Sequence, residues 1–340
     1  MSEEANIGSH PLDFEEYIIA GDPSKRERAY AWRTAIGLQV SDYLRQTARR
    51  NIEGEIAIDE ARELVKSYYQ SKRKRDPDDD EKQEADKVSS NISKIFSSPT
   101  LDFSANGFVA LHRRIFEGVF KHAGRIRQFD ITKKEWVLRG DTVNYLNFED
   151  LRRALDDDVS QERVFDYQGK TIEEMVSHIT KFVSGLWQIH PFEEGNTRTT
   201  AVFIIQYLRS IGFDVNNDLL AEHSWYFRNA LVRANYKSAV KGVEYFPVDL
   251  ERFFKNLLMG EHNELRNRYL LIDLLEEIEN PTNTRQLPEQ VRSLFHTDNP
   301  QIQGLVMAIG FNESSISQLM QTLGLKHRPN FFGIPSQPPR

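Results

Sequence analysis

Two apolar helical runs joined by nine residues constrain this chain more than any other feature. TIEEMVSHITKFVSGLWQIH, residues 171–190, carries Ile172, Met175, Val176, Ile179, Phe182, Val183, Leu186 and Trp187 on one stripe. That is the period of a helix with one face in a core. Thr171 followed by Glu174 is a capping-box start. TTAVFIIQYLRSIGF, residues 199–213, is apolar nearly all round, which predicts a buried central helix stopping near Gly212. Between them lies HPFEEGNTR, residues 190–198. His190 ends the first helix and Thr197 begins the second. Pro191 cannot continue a helix, so the chain must turn there. Gly195 gives the turn access to left-handed backbone.

This turn carries unusual chemistry. The amides of residues 195–198 open a buried helix, where unpaired N–H groups and the helix dipole attract an anion. Arg198 adds a guanidinium suited to phosphate oxygens. Glu194 beside this cradle would repel phosphate unless Mg²⁺ lies between them. His190 is the only group of the nine able to act as a general base near neutral pH. Phe192 has no such chemistry and is expected to anchor the loop in the core. The combination suits phosphoryl or nucleotidyl transfer from a Mg-triphosphate to a hydroxyl. Alone, His190 would read as a structural histidine, as His112 and His178 do; its neighbours single it out.

The rest of the chain reads as mainly helical. Residues 24–70 interleave acids and bases at helical spacing, and Phe108, Leu111, His112, Ile115 and Val119 mark another helix in residues 101–120. Further helices are expected at about 223–237 and 249–260. SKRKRDPDDDEKQEADK, residues 71–87, is almost wholly charged and reads as a solvated loop or helix end, not a binding patch. Two β-prone runs, Trp136–Leu138 and Thr142–Leu146, flank Arg139-Gly140-Asp141, which predicts a β-hairpin. The 340 residues, 39% hydrophobic, allow two or three structural units. The net charge of −7 argues against nucleic acid or a membrane surface as partner. Absence of cysteine excludes thiolate metal sites and thiol catalysis. With no membrane-length apolar run and no signal-peptide pattern, a soluble cytoplasmic protein is expected; secretion or injection is the minority alternative.

HPFEEGNTR resembles the signature of the Fic (filamentation induced by cAMP) family, H-P-F-x-D/E-G-N-G/K-R. Only Thr197 departs, where glycine or lysine is usual. HAGRIRQFD (122–130) resembles the segment leading into the family's flap, WVLRGDTVNYL the flap hairpin, and WYFRNALVRANY (225–236) the helix beside the adenine pocket. The resemblance implies a Fic-type helical core at 101–258 with a β-hairpin flap. An antitoxin-like, regulatory helical region would precede it at 1–100, and a helical region with a partial helix-turn-helix would follow at 259–340. It implies transfer of AMP from Mg-ATP to a Ser, Thr or Tyr hydroxyl of a target protein or of the chain itself. A homo-oligomer is left open.

The same resemblance assigns roles by position. His190 would deprotonate the target hydroxyl, and Glu194 would hold Mg²⁺. Gly195 and Asn196 would form the anion hole, and Arg198 would grip the outer phosphates. The Thr197 hydroxyl would meet a phosphate or the metal. Phe227, Arg228 and Asn235 match the adenine site. The flap, Thr142, Val143, Asn144 and Tyr145, would pin the target segment as an added strand. Lysine at position 197 is associated with phosphorylating relatives, so another nucleotide or phosphate transfer is the alternative, and a catalytically silent nucleotide-binding regulator a second.

Many Fic proteins also carry an inhibitory S/T-x-x-x-E-G/N helix whose glutamate pairs with the arginine equivalent to Arg198. Glu53-Gly54 in RRNIEGE is the candidate here, with Arg49 where Ser or Thr is expected. The competing and stronger reading makes Gly54 a helix stop between two helices. SSISQLMQTLGLKHRPNFF (314–332) resembles the start of a winged-helix module; a small packing helix pair is the favoured reading.

Overall fold

The computed structural model describes residues 14–19, 22–33, 40–72, 76–97, 100–215 and 217–272. Residues 1–270 form one compact unit and 271–340 a second. The expected helix-turn-helix segment lies outside the described residues, as does nearly all of the second unit.

The described residues hold twelve α-helices and no named strand. In chain order they are α1 Glu15–Ile19, α2 Pro23–Arg33, α3 Asp42–Glu53, α4 Ile58–Ser71, α5 Asp79–Ser97, α6 Ala105–Ile115, α7 Leu151–Arg163, α8 Ile172–Ile189, α9 Asn196–Ser210, α10 Asp218–Glu222, α11 Ser224–Asn235 and α12 Val248–Met259. The mainly helical expectation holds. None of these helices is long and apolar enough to cross a membrane.

α8 begins on the expected capping box: the Thr171 hydroxyl accepts from the Glu174 amide at 3.2 Å, and the Glu174 carboxylate accepts from the Thr171 amide at 2.8 Å. Its apolar stripe packs on α7, α9, α11 and α12. α9 is buried along almost its whole length, with Ala201 to Leu208 all inside. α6 covers its other side. The N-terminal helices gather around Trp32, Leu44, Ile52, Val65 and Tyr69. α5 joins the two groups, packing on α2 and α4 and also on α6.

Gly54 ends α3 in the left-handed conformation (φ 83°), with its amide capping carbonyls of the last turn. The turn reading of NIEGEI is therefore the one observed. The charged run behaves differently from expectation. Its second half forms the start of α5, and Asp86 is fully buried, accepting from the Ser41 amide (2.9 Å) and the Tyr69 hydroxyl (2.8 Å). A buried carboxylate survives because hydrogen bonds replace its water.

The expected β-hairpin is not formed. Trp136–Leu138 makes a 3-10 turn, and Thr142–Leu146 runs without ladder partners. Val137 and Leu138, adjacent in sequence, are both fully buried, whereas Trp136 is exposed. A strand alternates its faces, so it cannot bury two neighbours on one side; a turn can. Arg139 (φ 56°) and Gly140 (φ 86°) close it, with the Glu135 amide donating to the Asp141 carbonyl at 2.9 Å.

Candidate active site

His190 caps the C-terminus of α8 in left-handed backbone (φ 49°), unusual for a residue with a Cβ. Three contacts hold it there. Its amide donates to the Trp187 carbonyl at 3.1 Å. Its own carbonyl accepts from Arg127 Nε at 2.9 Å, while the Arg127 amide donates to the Pro191 carbonyl at 2.9 Å. Its ring Nδ1 faces the Trp187 carbonyl at 3.3 Å. A carbonyl can only accept, so Nδ1 carries the proton and Nε2 keeps a lone pair. The ring is 4% exposed, lies 4.2 Å from the Tyr145 ring and meets the Trp187 indole edge-on. Burial foremost, then the Lys133 ammonium, pushes its pKa well below the usual histidine range. The imidazole is neutral at pH 7, as a base must be.

The turn after His190 is clamped from within. The Phe192 amide donates to Asn196 Oδ1 at 2.9 Å, and Asn196 Nδ2 donates to the Phe192 carbonyl at 2.8 Å. Phe192 is fully buried and stacks on His112 at 3.8 Å, the anchor expected of it. His112 pins the loop from outside. Its Nδ1 accepts from the Gly124 amide at 2.8 Å, so Nε2 donates to the Glu194 carbonyl at 3.0 Å. Burial pulls the His112 pKa down to about 4. Gly195 adopts φ 83°, and a Cβ there would meet the Phe116 ring at 2.3 Å. As the residue preceding α9 it offers no side-chain cap to the first-turn amides.

These groups line one cavity of about 370 Å³. His190, Glu194, Gly195, Asn196, Thr197, Arg198 and Arg228 all border it. Asn196 contributes through its backbone, since its amide group is spent on Phe192. The Thr197 hydroxyl accepts from Trp187 Nε1 at 2.9 Å. Glu194 is 62% exposed, with Lys133 Nζ at 3.5 Å.

Other expected residues lie elsewhere. Phe227 is fully buried against Phe253 (4.9 Å), and Asn235 donates to the Ser184 (3.1 Å) and Leu231 (3.0 Å) carbonyls. Both face the core because α11 presents its other face to the cavity, through Ser224, Trp225 and Arg228. Val143 is buried and the Asn144 carbonyl accepts from Gln188 Nε2 at 3.2 Å. Thr142 takes the Lys133 amide on its hydroxyl at 3.3 Å, and Tyr145 lies over His190. Glu53 does not reach Arg198: Lys25 pairs with it, and it sits in the N-terminal group.

The carboxylate on Arg198 belongs to Glu84 of α5, at 3.1 Å. Sequence reasoning passed over Glu84 because its surroundings are so charged; the helical period of 79–97 was the available signal. It also passed over Lys133, and over Glu135, which is buried and holds Arg228 at 2.7 Å and the Tyr145 hydroxyl at 3.1 Å.

Residues 102–208 match the model of the Fic/DOC family. This stretch is a Fic/DOC family domain. Two relatives are similar over part of the chain. Protein adenylyltransferase VbhT of Bartonella schoenbuchensis is 25% identical over 136 residues, 40% of this chain and 26% of the relative. Probable protein adenylyltransferase y4lH of Sinorhizobium fredii is 24% identical over 159 residues, 46% of this chain and 79% of the relative. The chain thus spans about a quarter of the first and about four fifths of the second. No solved structure matches the chain significantly. The Fic domain supplies the histidine loop, Lys133 and Glu135, but the cavity is finished from outside it. Glu84 precedes the matched residues, and Trp225 and Arg228 follow them.

Proposed function

We propose that this chain is a protein adenylyltransferase, moving AMP from ATP to a hydroxyl of a target protein. One observation carries the reading: His190 Nδ1 faces the Trp187 carbonyl at 3.3 Å, which leaves Nε2 as the nitrogen to act as base, in the cavity bordered by the start of α9 and by Arg198. The similarity to two proteins named adenylyltransferases supports the choice of nucleotide and reaction.

In this reading ATP lays its phosphates across the amides of 195–198, with Arg198 on the outer ones. Trp225 and Arg228 border the base end. The target hydroxyl approaches between Thr142–Tyr145 and His190. Nε2 takes the hydroxyl proton, the oxygen attacks the α-phosphorus, and the bond from the α-phosphorus to the bridging oxygen breaks, releasing pyrophosphate. Glu194 is the candidate Mg²⁺ ligand. Its carboxylate borders the cavity, and a single carboxylate completed by phosphate oxygens and water is a donor set Mg²⁺ accepts in nucleotide sites. Bound there, Mg²⁺ would neutralise charge on the phosphates; Lys133 would have to yield part of its contact with Glu194.

Glu84 occupies Arg198 Nη1 at 3.1 Å and sets a carboxylate beside the place of an outer phosphate. Glu84 therefore restrains the site, the role for which Glu53 is only the candidate in the sequence. Glu84→Ala should raise labelling about two- to fivefold, the equivalent of at most about 1 kcal/mol for an ion pair with a partly exposed carboxylate.

Incubation of a lysate with α-labelled and γ-labelled ATP tests the reading. Label from the α-phosphate should enter protein with wild type and vanish with His190→Ala. Entry of γ label instead would favour phosphate transfer, the reading that Thr197 keeps alive. Failure of both labels with wild type and Glu84→Ala alike would favour a nucleotide-binding regulator.

A further inference from the structure

Thr197 is where this chain departs from the Fic signature, and its side chain has a definite task. It stands in the first turn of α9, and its hydroxyl accepts from the indole Nε1 of Trp187, in the last turn of α8, at 2.9 Å. Trp187 is 1% exposed. It touches His190 in three ways. Its carbonyl accepts from the His190 amide at 3.1 Å and faces Nδ1 at 3.3 Å. Its indole meets the imidazole edge-on, at 89° and 5.1 Å between ring centres. It also flanks Tyr145, the ring on the other side of His190, at 5.8 Å.

We infer that Thr197 is a positioning residue: through its hydroxyl it fixes Trp187, and through Trp187 the orientation and tautomer of His190. A buried indole N–H without an acceptor is destabilised enough to make the ring seek another orientation. Such a shift would move the packing surface under His190 and loosen the carbonyl that keeps the proton on Nδ1. Glycine at this position has no atom to accept the bond. Lysine has only donors. The α8–α9 junction of this chain therefore carries a brace that neither usual residue supplies. The hydroxyl borders the cavity and keeps its own proton, so it can also donate to a phosphate; the brace does not depend on that.

The inference rests on the adenylyltransferase reading only for its kinetic arm. Thr197→Val keeps the shape and removes the acceptor, and Thr197→Ser keeps the acceptor. With α-labelled ATP, Thr197→Val should lower the rate at saturating ATP about tenfold and move the KM for ATP less than about twofold, the pattern of a lost transition-state arrangement. Thr197→Ser should restore most of that rate. Separately, ¹⁵N NMR of the whole protein should show a shifted Trp187 indole resonance, assigned with Trp187→Phe. His190 ring nitrogens should move toward mixed tautomers in Thr197→Val but not in Thr197→Ser. Unchanged His190 ring resonances in Thr197→Val would overturn the brace whether or not the protein transfers AMP. A raised KM with an unchanged saturating rate would also overturn it, making Thr197 a phosphate contact. Absence of label with wild type would instead count against the adenylyltransferase reading, and the ring resonances alone would then decide the brace.

Discussion

The histidine loop and the flap segment meet where Tyr145 lies over His190, yet they are held from opposite directions along the chain. The loop is held by itself and by residues that precede it, since Arg127 takes the His190 and Pro191 carbonyls and His112 the Glu194 carbonyl. Asn196 clamps Phe192 four residues away, and Gly195 turns the chain into α9. The flap is tied to distant partners. Glu135 is held by Arg228, 93 residues on, and Asp141 accepts from the Tyr236 hydroxyl at 2.6 Å, 95 residues on. Lys241 adds to Asp141 at 3.2 Å. The two segments answer to different parts of the chain: the loop leans on Arg127 and His112, which precede it, whereas the flap depends on α11 and the segment beyond it, which follow it.

The largest break should come from Gly195→Ala. Left-handed strain costs about 1–2 kcal/mol and overpacking against Phe116 about 1–3 kcal/mol, so a loss of about 2–5 kcal/mol is expected, read as a lowered denaturant midpoint with loss of labelling. A wild-type midpoint would mean the loop relocates freely.

Acid should act next, and on the loop. The His112 pKa is about 4 in the fold against 6.5 unfolded, so the unfolded chain binds more protons between those values. The stability this contributes is complete above about pH 6.5 and is lost as pH falls toward 4, by about 3 kcal/mol. His190 acts in the same direction. Denaturation midpoints between pH 7.5 and 4.5 should fall, with a shallower slope in His112→Gln; an identical slope would remove His112 from the account.

Glu135→Gln tests the flap. It keeps the size and removes the charge facing Arg228, and should cost about 1–2 kcal/mol after screening of the partly exposed arginine. Tyr145 should become more mobile than the loop, visible as faster hydrogen exchange in 135–146 than in 190–198. Equal exchange would erase the contrast. Smallest of all, Glu53→Gly should leave labelling within about twofold of wild type, because the Glu53 partner is Lys25.

Short-range pattern specifies α8, its capping box, the turn and α9. Each is specified by residues within a few positions of one another, through apolar period, a proline stop and a glycine of positive φ. The chemistry of His190, Glu194, Gly195 and Arg198 was legible for the same reason. What meets them follows from contacts between segments far apart in the chain. Arg198 finds Glu84 across 114 residues, from a run whose charge concealed a helix. The hairpin became a turn because Val137 and Leu138 were both drawn into the core. Phe227 and Asn235 went inward because which face of α11 is buried depends on α8 and α12, not on α11. Long-range packing chose these outcomes, and no local pattern encodes them.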